Sequence, residues 1–315
     1  MPTGHFLCHG VSWTREGPSL ALASPQGERT SLDLPASNQA SSEQVCGGGF
    51  NLGFRLDDGP GSRYCLGYSK ALNGGERRSF PCPTRTTAER GYQCGPCFAR
   101  DDFRYMHDVH RSGVAPGGLA QYLAQEHWLY IATFADGSTK VGTASQRSKW
   151  TRLAEQGAVV ARYVAQADNG RVVRVLEDTV TRSAGLPQAI RSAAKTAALA
   201  RPLPQQRLKE ANDDAAAAAS RLLKREIDID GYRTSYQVWD PPPGWQQVLA
   251  AHAPVYPLSL GAGEHGGAVR AVLGQVALLV LPEGEFLLDL AQLRGRRLEL
   301  GEWRSPAIAV QQELF

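Results

Sequence analysis

The stretch HWLYIATFADGSTKVG, residues 127–142, decides how this chain is read. Trp128–Phe134 is a run of aromatic and aliphatic residues with strand character, Ala135–Thr139 is a tight turn, and Lys140-Val141-Gly142 is a second short strand. Just downstream, Ser145–Glu155 sets Trp150, Leu153 and Ala154 at i, i+3 and i+4, the spacing of one helical face, and Gly157 ends it. Val159–Gln166 is a third strand. Asp168-Asn169-Gly170 caps a second helix, Arg171–Arg182, which turns Val172, Val173, Leu176 and Val180 inward. The rhythm is strand, strand, helix, strand, helix.

Outward from this centre the texture changes. Residues 1–60 form short apolar runs (Phe6–Cys8, Val11–Trp13, Ser19–Ala23, Phe50–Phe54) with a polar loop at Ala36–Gly49. Residues 61–112 lose aliphatics and gather cysteines. Val114–Gly118 is a linker and Leu119–Gln125 a short helix; Gln205–Glu226 is an Ala-rich helix between prolines, read as a connector. Short strands return at Ala268–Leu273, Val276–Leu281, Glu285–Leu288 and Arg297–Leu300, suggesting a small barrel-like terminal module. The expected division is therefore a β region at 1–60, a zinc segment at 61–112, a central module at 119–200, a connector at 201–228 and a β module at 229–315.

The whole chain supports that division. At 315 residues and 34.1 kDa it exceeds the roughly 250 residues over which a single core grows. Hydrophobic residues at 42% and charged ones at 21% exclude wholesale disorder. The longest apolar stretch, Ala271–Leu281, is broken by Gly274 and Gln275 and falls short of the ~20 residues that span a bilayer. The start, MPTGHFLCHG, has neither the basic opening nor the apolar core of a signal peptide, so the expected compartment is the cytoplasm. Charge clusters where the central strands and helices lie. His127–Arg201 has 11 Lys and Arg against 5 Asp and Glu, whereas Asp230–Phe315 has 6 against 9. Contact with phosphate belongs to the middle.

Cys65, Cys82, Cys94 and Cys97 fall within 33 residues. A tight Cys94-Gly-Pro-Cys97 turn aims two sulfurs at one point, and a segment so poor in aliphatics needs a cross-link, which in a reducing compartment is zinc. His107 or His110 offers a replacement for one sulfur. The other readings are a redox Cys-x-x-Cys, which calls for a strand-to-helix setting, or buried free thiols. Cys8 and Cys46 lack partner spacing and read as ordinary buried cysteines.

The order of Tyr130, Lys140-Val-Gly142, Arg152 and Glu177 resembles the GIY-YIG nuclease superfamily. There, two antiparallel strands carry a first tyrosine and a second tyrosine-x-glycine, one helix supplies an arginine, and a later helix a metal-binding glutamate. Tyr130 matches the first tyrosine and Gly142 the glycine. Arg152 matches the arginine two residues further on than usual, with Arg147 as rival, and Glu177 matches the glutamate. Lys140 stands where the second tyrosine is expected; some branches have lysine there. The chain also resembles, over nearly its whole length, an uncharacterised family in which a four-cysteine segment precedes a GIY-YIG-like core. Its signs are Cys65-Leu-Gly67, the later Cys-x-x-Cys, Lys140-Val-Gly142, Glu155-Gln-Gly-Ala158 and a glycine-punctuated β end.

The fold class expected is thus α+β: a GIY-YIG-like central α/β module, preceded by a zinc-binding cysteine segment and flanked by short-stranded β regions. The resemblance implies an endonuclease, a hydrolase of phosphodiester bonds in DNA or RNA. Glu177 would hold Mg²⁺ or Mn²⁺, Arg152 would meet developing charge, and Tyr130 would activate water, helped by Lys140. Arg147, Lys149 and Arg171 would bind nucleic acid; Lys149, Arg152 and Gln156 share a helix face. The alternative function is a zinc-containing module that grips nucleic acid without cutting it. Singly, each residue also has an ordinary reading: Tyr130 as strand packing, Arg152 and Lys149 as a solvated face, Glu177 as a surface ion pair, Lys140 as an exposed strand residue.

Overall fold

The computed structural model describes residues 3–36, 50–56, 59, 61–72, 75–106 and 109–308. The expected loop at 36–49 lies almost wholly outside them, as do Cys46 and His107. The chain divides into two compact units, one made of residues 1–66 and 242–315, the other of residues 67–241.

In chain order the strands and helices begin with β1 (Gly4–Trp13), β2 (Pro18–Ala23), β3 (Arg29–Asp33) and β4 (Asn51–Leu56). The cysteine segment holds β5 (Tyr68–Ala71), β6 (Arg77–Phe80), α1 (Gly95–Arg100) and α2 (Val109–Ser112), and α3 (Gly117–Leu123) follows. Next come β7 (His127–Thr133), β8 (Thr139–Ser145), α4 (Lys149–Gln156), β9 (Val160–Ala167), α5 (Gly170–Ala184), α6 (Ser192–Ala200), α7 (Gln205–Arg225) and β10 (Tyr232–Val238). The chain finishes with α8 (Trp245–Ala251), β11 (Gly263–Leu273), β12 (Val276–Leu281), β13 (Gly284–Asp289) and β14 (Arg297–Leu300).

In the first unit the two ends of the chain share one antiparallel sheet, in the order β13-β12-β11-β4-β14-β1-β2-β3. β4 lies between β11 and β14, and β14 also pairs with β1. The terminal strands are therefore not a separate barrel. Leu20, Leu22, Leu52 and Phe54 are buried in this unit, and β12 and β13 are buried on consecutive residues, Ala277–Leu279 and Phe286–Leu288, as strands covered on both faces are. The runs read as two strands at Phe6–Cys8 and Val11–Trp13 are one strand, carried past its irregularity by a bulge between Cys8 and Gly10.

The second unit is built on an antiparallel sheet ordered β10-β9-β7-β8. Leu129 and Ile131 of β7, Val141 of β8 and Val164 of β9 pack with Val173, Leu176 and Val180 of α5 and with Ala216, Ala219 and Leu223 of α7. Asn169 begins α5 as expected: its side chain accepts from the backbone N–H groups of Arg171 and Val172. Gly157 ends α4 in the left-handed conformation, at φ +72°. Two features differ from the sequence reading. The Ala-rich helix is a core element rather than a connector, and buried Asn212 ties it to the sheet by donating to Ile131 O and Thr133 Oγ1. β10, assigned to the C-terminal module, pairs with β9 and completes the central sheet.

Candidate active site and cysteine cluster

Side chains alternate across a strand, so residues next to the core-facing Leu129 and Ile131 project to the opposite face. Tyr130 does so, opposite Gly142 on β8 and Tyr163 on β9, while Lys140 pairs with Ala132. The absence of a side chain at Gly142 makes room for the tyrosine: a Cβ there would lie 2.4 Å from Tyr130 Oη. Tyr130 is fully buried, and its oxygen accepts from Gln156 Nε2 at 2.7 Å and from the Arg152 guanidinium. With those two acceptor positions filled, the phenolic O–H is left to donate.

Near Tyr130 lie the three other residues singled out by sequence, Lys140, Arg152 and Glu177. Lys140 is 6% exposed; its Nζ lies 5.8 Å from the Tyr130 ring centre and donates to Gln188 O at 3.0 Å. Glu177 is 3% exposed on α5, accepts from Arg174 Nη1 at 2.5 Å, and acts electrostatically on both Tyr130 and Lys140. Its ion pair with arginine is a buried one, not the surface pair of the ordinary reading. Arg152 is exposed at the solvent side of the group.

Two further residues belong to the cluster. Gln156 was visible only as the third member of a helix face. Lys195 of α6, a lone lysine in an Ala-rich helix, carried no signal; its Nζ donates to Gln156 O at 3.0 Å and lies 4.2 Å from the Phe134 ring centre.

Electrostatics change one expected role. Burial raises the Tyr130 phenol above its usual range, outweighing Arg152 and Gln156, which lower it. This burial favours the protonated phenol, which donates, and opposes the expected role of base. Lys140 is lowered to about 8, by burial first and Arg152 next. Lys195 is lowered to about 7, by burial and then by Lys140 and Arg152.

The three residues expected to bind nucleic acid have these contacts within the protein. Arg147 reaches Gly75 O at 3.4 Å, and Arg171 reaches Gly113 O at 3.2 Å. Lys149 sits over the rings of Trp128 and Tyr163, 3.1 and 4.4 Å from their centres, and donates to Gln237. It shares a helix with Arg152, but its side chain contacts Trp128, Tyr163 and Gln237.

The four cysteines expected to hold zinc do meet. Cys65, Cys82, Cys94 and Cys97 are buried, and their sulfurs all lie within 4.8 Å of one another. Cys82 and Cys94 are 3.8 Å apart at sulfur, the edge of a tetrahedron with metal–sulfur bonds of about 2.3 Å. All four are free of disulfides. The cluster is compatible with one metal ion such as zinc. Cys94 immediately precedes α1, which holds Cys97 in its first turn. Asp101 braces the segment by accepting from Ser69 N, Gln93 Nε2 and Phe103 N. His110 pairs instead with Asp178 at 2.9 Å. Cys8 is fully buried, and burial pushes its thiol up to about 12, as befits a packing residue.

Among the described residues no helix is long and apolar enough to cross a membrane. No curated protein and no solved structure matches the chain. A family model does, over residues 84–275, from within the cysteine segment through the central sheet to the end of β11. The chain belongs to the family described as "Protein of unknown function (DUF2797)".

Proposed function

We propose that residues 67–241 form a metal-dependent phosphodiesterase unit acting on nucleic acid, with an active site of GIY-YIG type. The observation that carries this reading is the convergence of Tyr130, Lys140, Arg152 and Glu177, from two strands and two helices, in the order the resemblance calls for. Arg152 is placed to stabilise charge that builds on phosphate oxygens, where a guanidinium fork meets two of them at once. Tyr130 donates its hydroxyl hydrogen to such an oxygen. Lys140, at the position of the second tyrosine, supplies positive charge at the buried end of the group. Glu177 fits the metal requirement: Mg²⁺ takes one or two carboxylates and keeps its waters, and a carboxylate bonded to arginine through one oxygen has a second to offer. A bound Mg²⁺ or Mn²⁺ would neutralise non-bridging oxygens and acidify water.

The test is a cleavage screen of single- and double-stranded DNA and RNA with Mg²⁺ or Mn²⁺. Glu177→Gln and Arg152→Ala should each lower the rate by ~10²–10⁴ where the parent cuts. A parent that cuts nothing, or a Glu177→Gln protein that cuts as well as the parent, refutes the catalytic reading and leaves a binding module.

A further inference from the structure

Charge around Tyr130 does not balance. Glu177 is already paired with Arg174. Lys140, Lys195 and Arg152 stand beside that pair, and among the described residues none of the three forms a salt bridge. They come from three elements, β8, α6 and α4, and each lysine feels Arg152 as a neighbouring cation. Each lysine gives one hydrogen bond to a backbone carbonyl, Lys140 to Gln188 and Lys195 to Gln156, and an ammonium has three donors. Gathering three cations against a partly buried surface is unfavourable unless an anion joins them or a lysine gives up its proton, and at neutral pH an anion would hold the lysines charged.

We infer that Lys195, Lys140 and Arg152, with the hydroxyl of Tyr130, form a binding site for a doubly charged tetrahedral oxyanion of the phosphate class. A carboxylate has one charge and two oxygens in a plane, whereas a phosphate presents oxygens in several directions and carries up to two charges, which suits donors that converge from three elements. Arg152 is exposed and Lys195 half-buried, so the ligand enters on their side and meets Lys140 and Tyr130 at the buried end. The proton affinities of the two lysines are lowered by burial first and by the neighbouring cations next, and an anion would oppose both effects. Lys195 is thereby a ligand-binding residue that the resemblance does not supply. The inference deepens the proposed function and rests on it for nucleic acid as the source of the phosphate, yet it needs no bond to be cut.

The experiment is done on the full chain in EDTA, so that no catalytic metal contributes. Inorganic phosphate is titrated by calorimetry against the parent and against Lys195→Met, Lys195→Arg and Lys209→Met. Lys209 is exposed on α7 and serves as the control. Lys195→Met should bind at least tenfold more weakly, Lys195→Arg should retain most of the affinity, and Lys209→Met should match the parent. Because a variant can fail to fold, the parent itself is also labelled with an amine-reactive reagent and mapped by mass spectrometry. Phosphate should protect Lys195 and leave Lys209 unprotected. Absence of phosphate binding by the parent, equal binding by folded Lys195→Met, or labelling of Lys195 unaffected by phosphate overturns the inference. Protection by free phosphate but not by a 5′-phosphorylated oligonucleotide supports this site and removes nucleic acid as its ligand. Phosphate binding without cleavage of any substrate refutes the nuclease alone.

Discussion

Replacing Gly142 by alanine tests the packing that holds the cluster together. The added methyl would lie 2.4 Å from Tyr130 Oη and 2.5 Å from its Cζ, where ordinary contact begins at 3.4 Å. The ring has little freedom to retreat, since it is fully buried and its oxygen is held by Gln156 and Arg152. Overpacking of this kind costs ~1–3 kcal/mol, and a locked ring places it in the upper half of that range. Removing a glycine from a strand returns ~0.5–1 kcal/mol through the unfolded chain, leaving a net loss of about 2 kcal/mol. At ~2–4 °C per kcal/mol for a unit of this size, Gly142→Ala should lower the melting temperature by roughly 4–8 °C. Thermal denaturation followed by circular dichroism measures this, together with Tyr130→Leu and the double variant. With the ring gone the methyl has space, so the second substitution should cost little and the pair should couple by ~1–2 kcal/mol. A Gly142→Ala protein that melts with the parent, or losses that simply add, would refute the close approach of Gly142 and Tyr130.

Two other expectations concern the metal and pH. Purified protein should contain about one zinc per chain, and Cys97→Ser should lose it and melt earlier; folded parent without zinc would contradict the cysteine site. The second follows from Lys140 at about 8 and Lys195 at about 7, both below the unfolded value of ~10.4. Between pH 7 and 10 the unfolded chain binds more protons at these lysines, so their contribution makes stability rise with pH and is unfavourable below it. Lys195→Met should flatten that rise in a series of melts; an unchanged slope would exclude a perturbed lysine there.

The central strands and helices were legible because their signals are local. Tyr130 and Lys140 lie on one hairpin, and the caps at Asn169 and Gly157 act within a few residues of their own helices. The cysteine set was legible from composition. What escaped depends on distance along the chain or on weak hydrophobicity. α7 packs through Ala216 and Ala219, whose methyl groups allow close approach but barely mark a helix face as apolar. β10 joins β9 only after three intervening helices, α5, α6 and α7, and nothing in Tyr232–Val238 names its partner. Lys195 gained its meaning only when α6 brought it to Gln156, and the complete burial of Tyr130, which raises its phenol, follows from packing that no local signal announces.

The threading of the first sheet bears on how the protein is made. β1, β2 and β3 pair in succession, but β4 awaits both β11 and β14, and the other edge of β1 awaits β14. At ~5–20 residues per second, the roughly 200 residues between Leu56 and Gly263 take on the order of 10–40 s to synthesise. Meanwhile β7, β8 and β9 emerge in succession and can pair at once. The ribosome therefore releases a nascent chain whose middle matures first, while β4 trails an open edge that invites pairing with other chains. Expression that stalls before β11 should yield inclusion bodies, and the yield of intact protein should respond to chaperones that shield strand edges during translation.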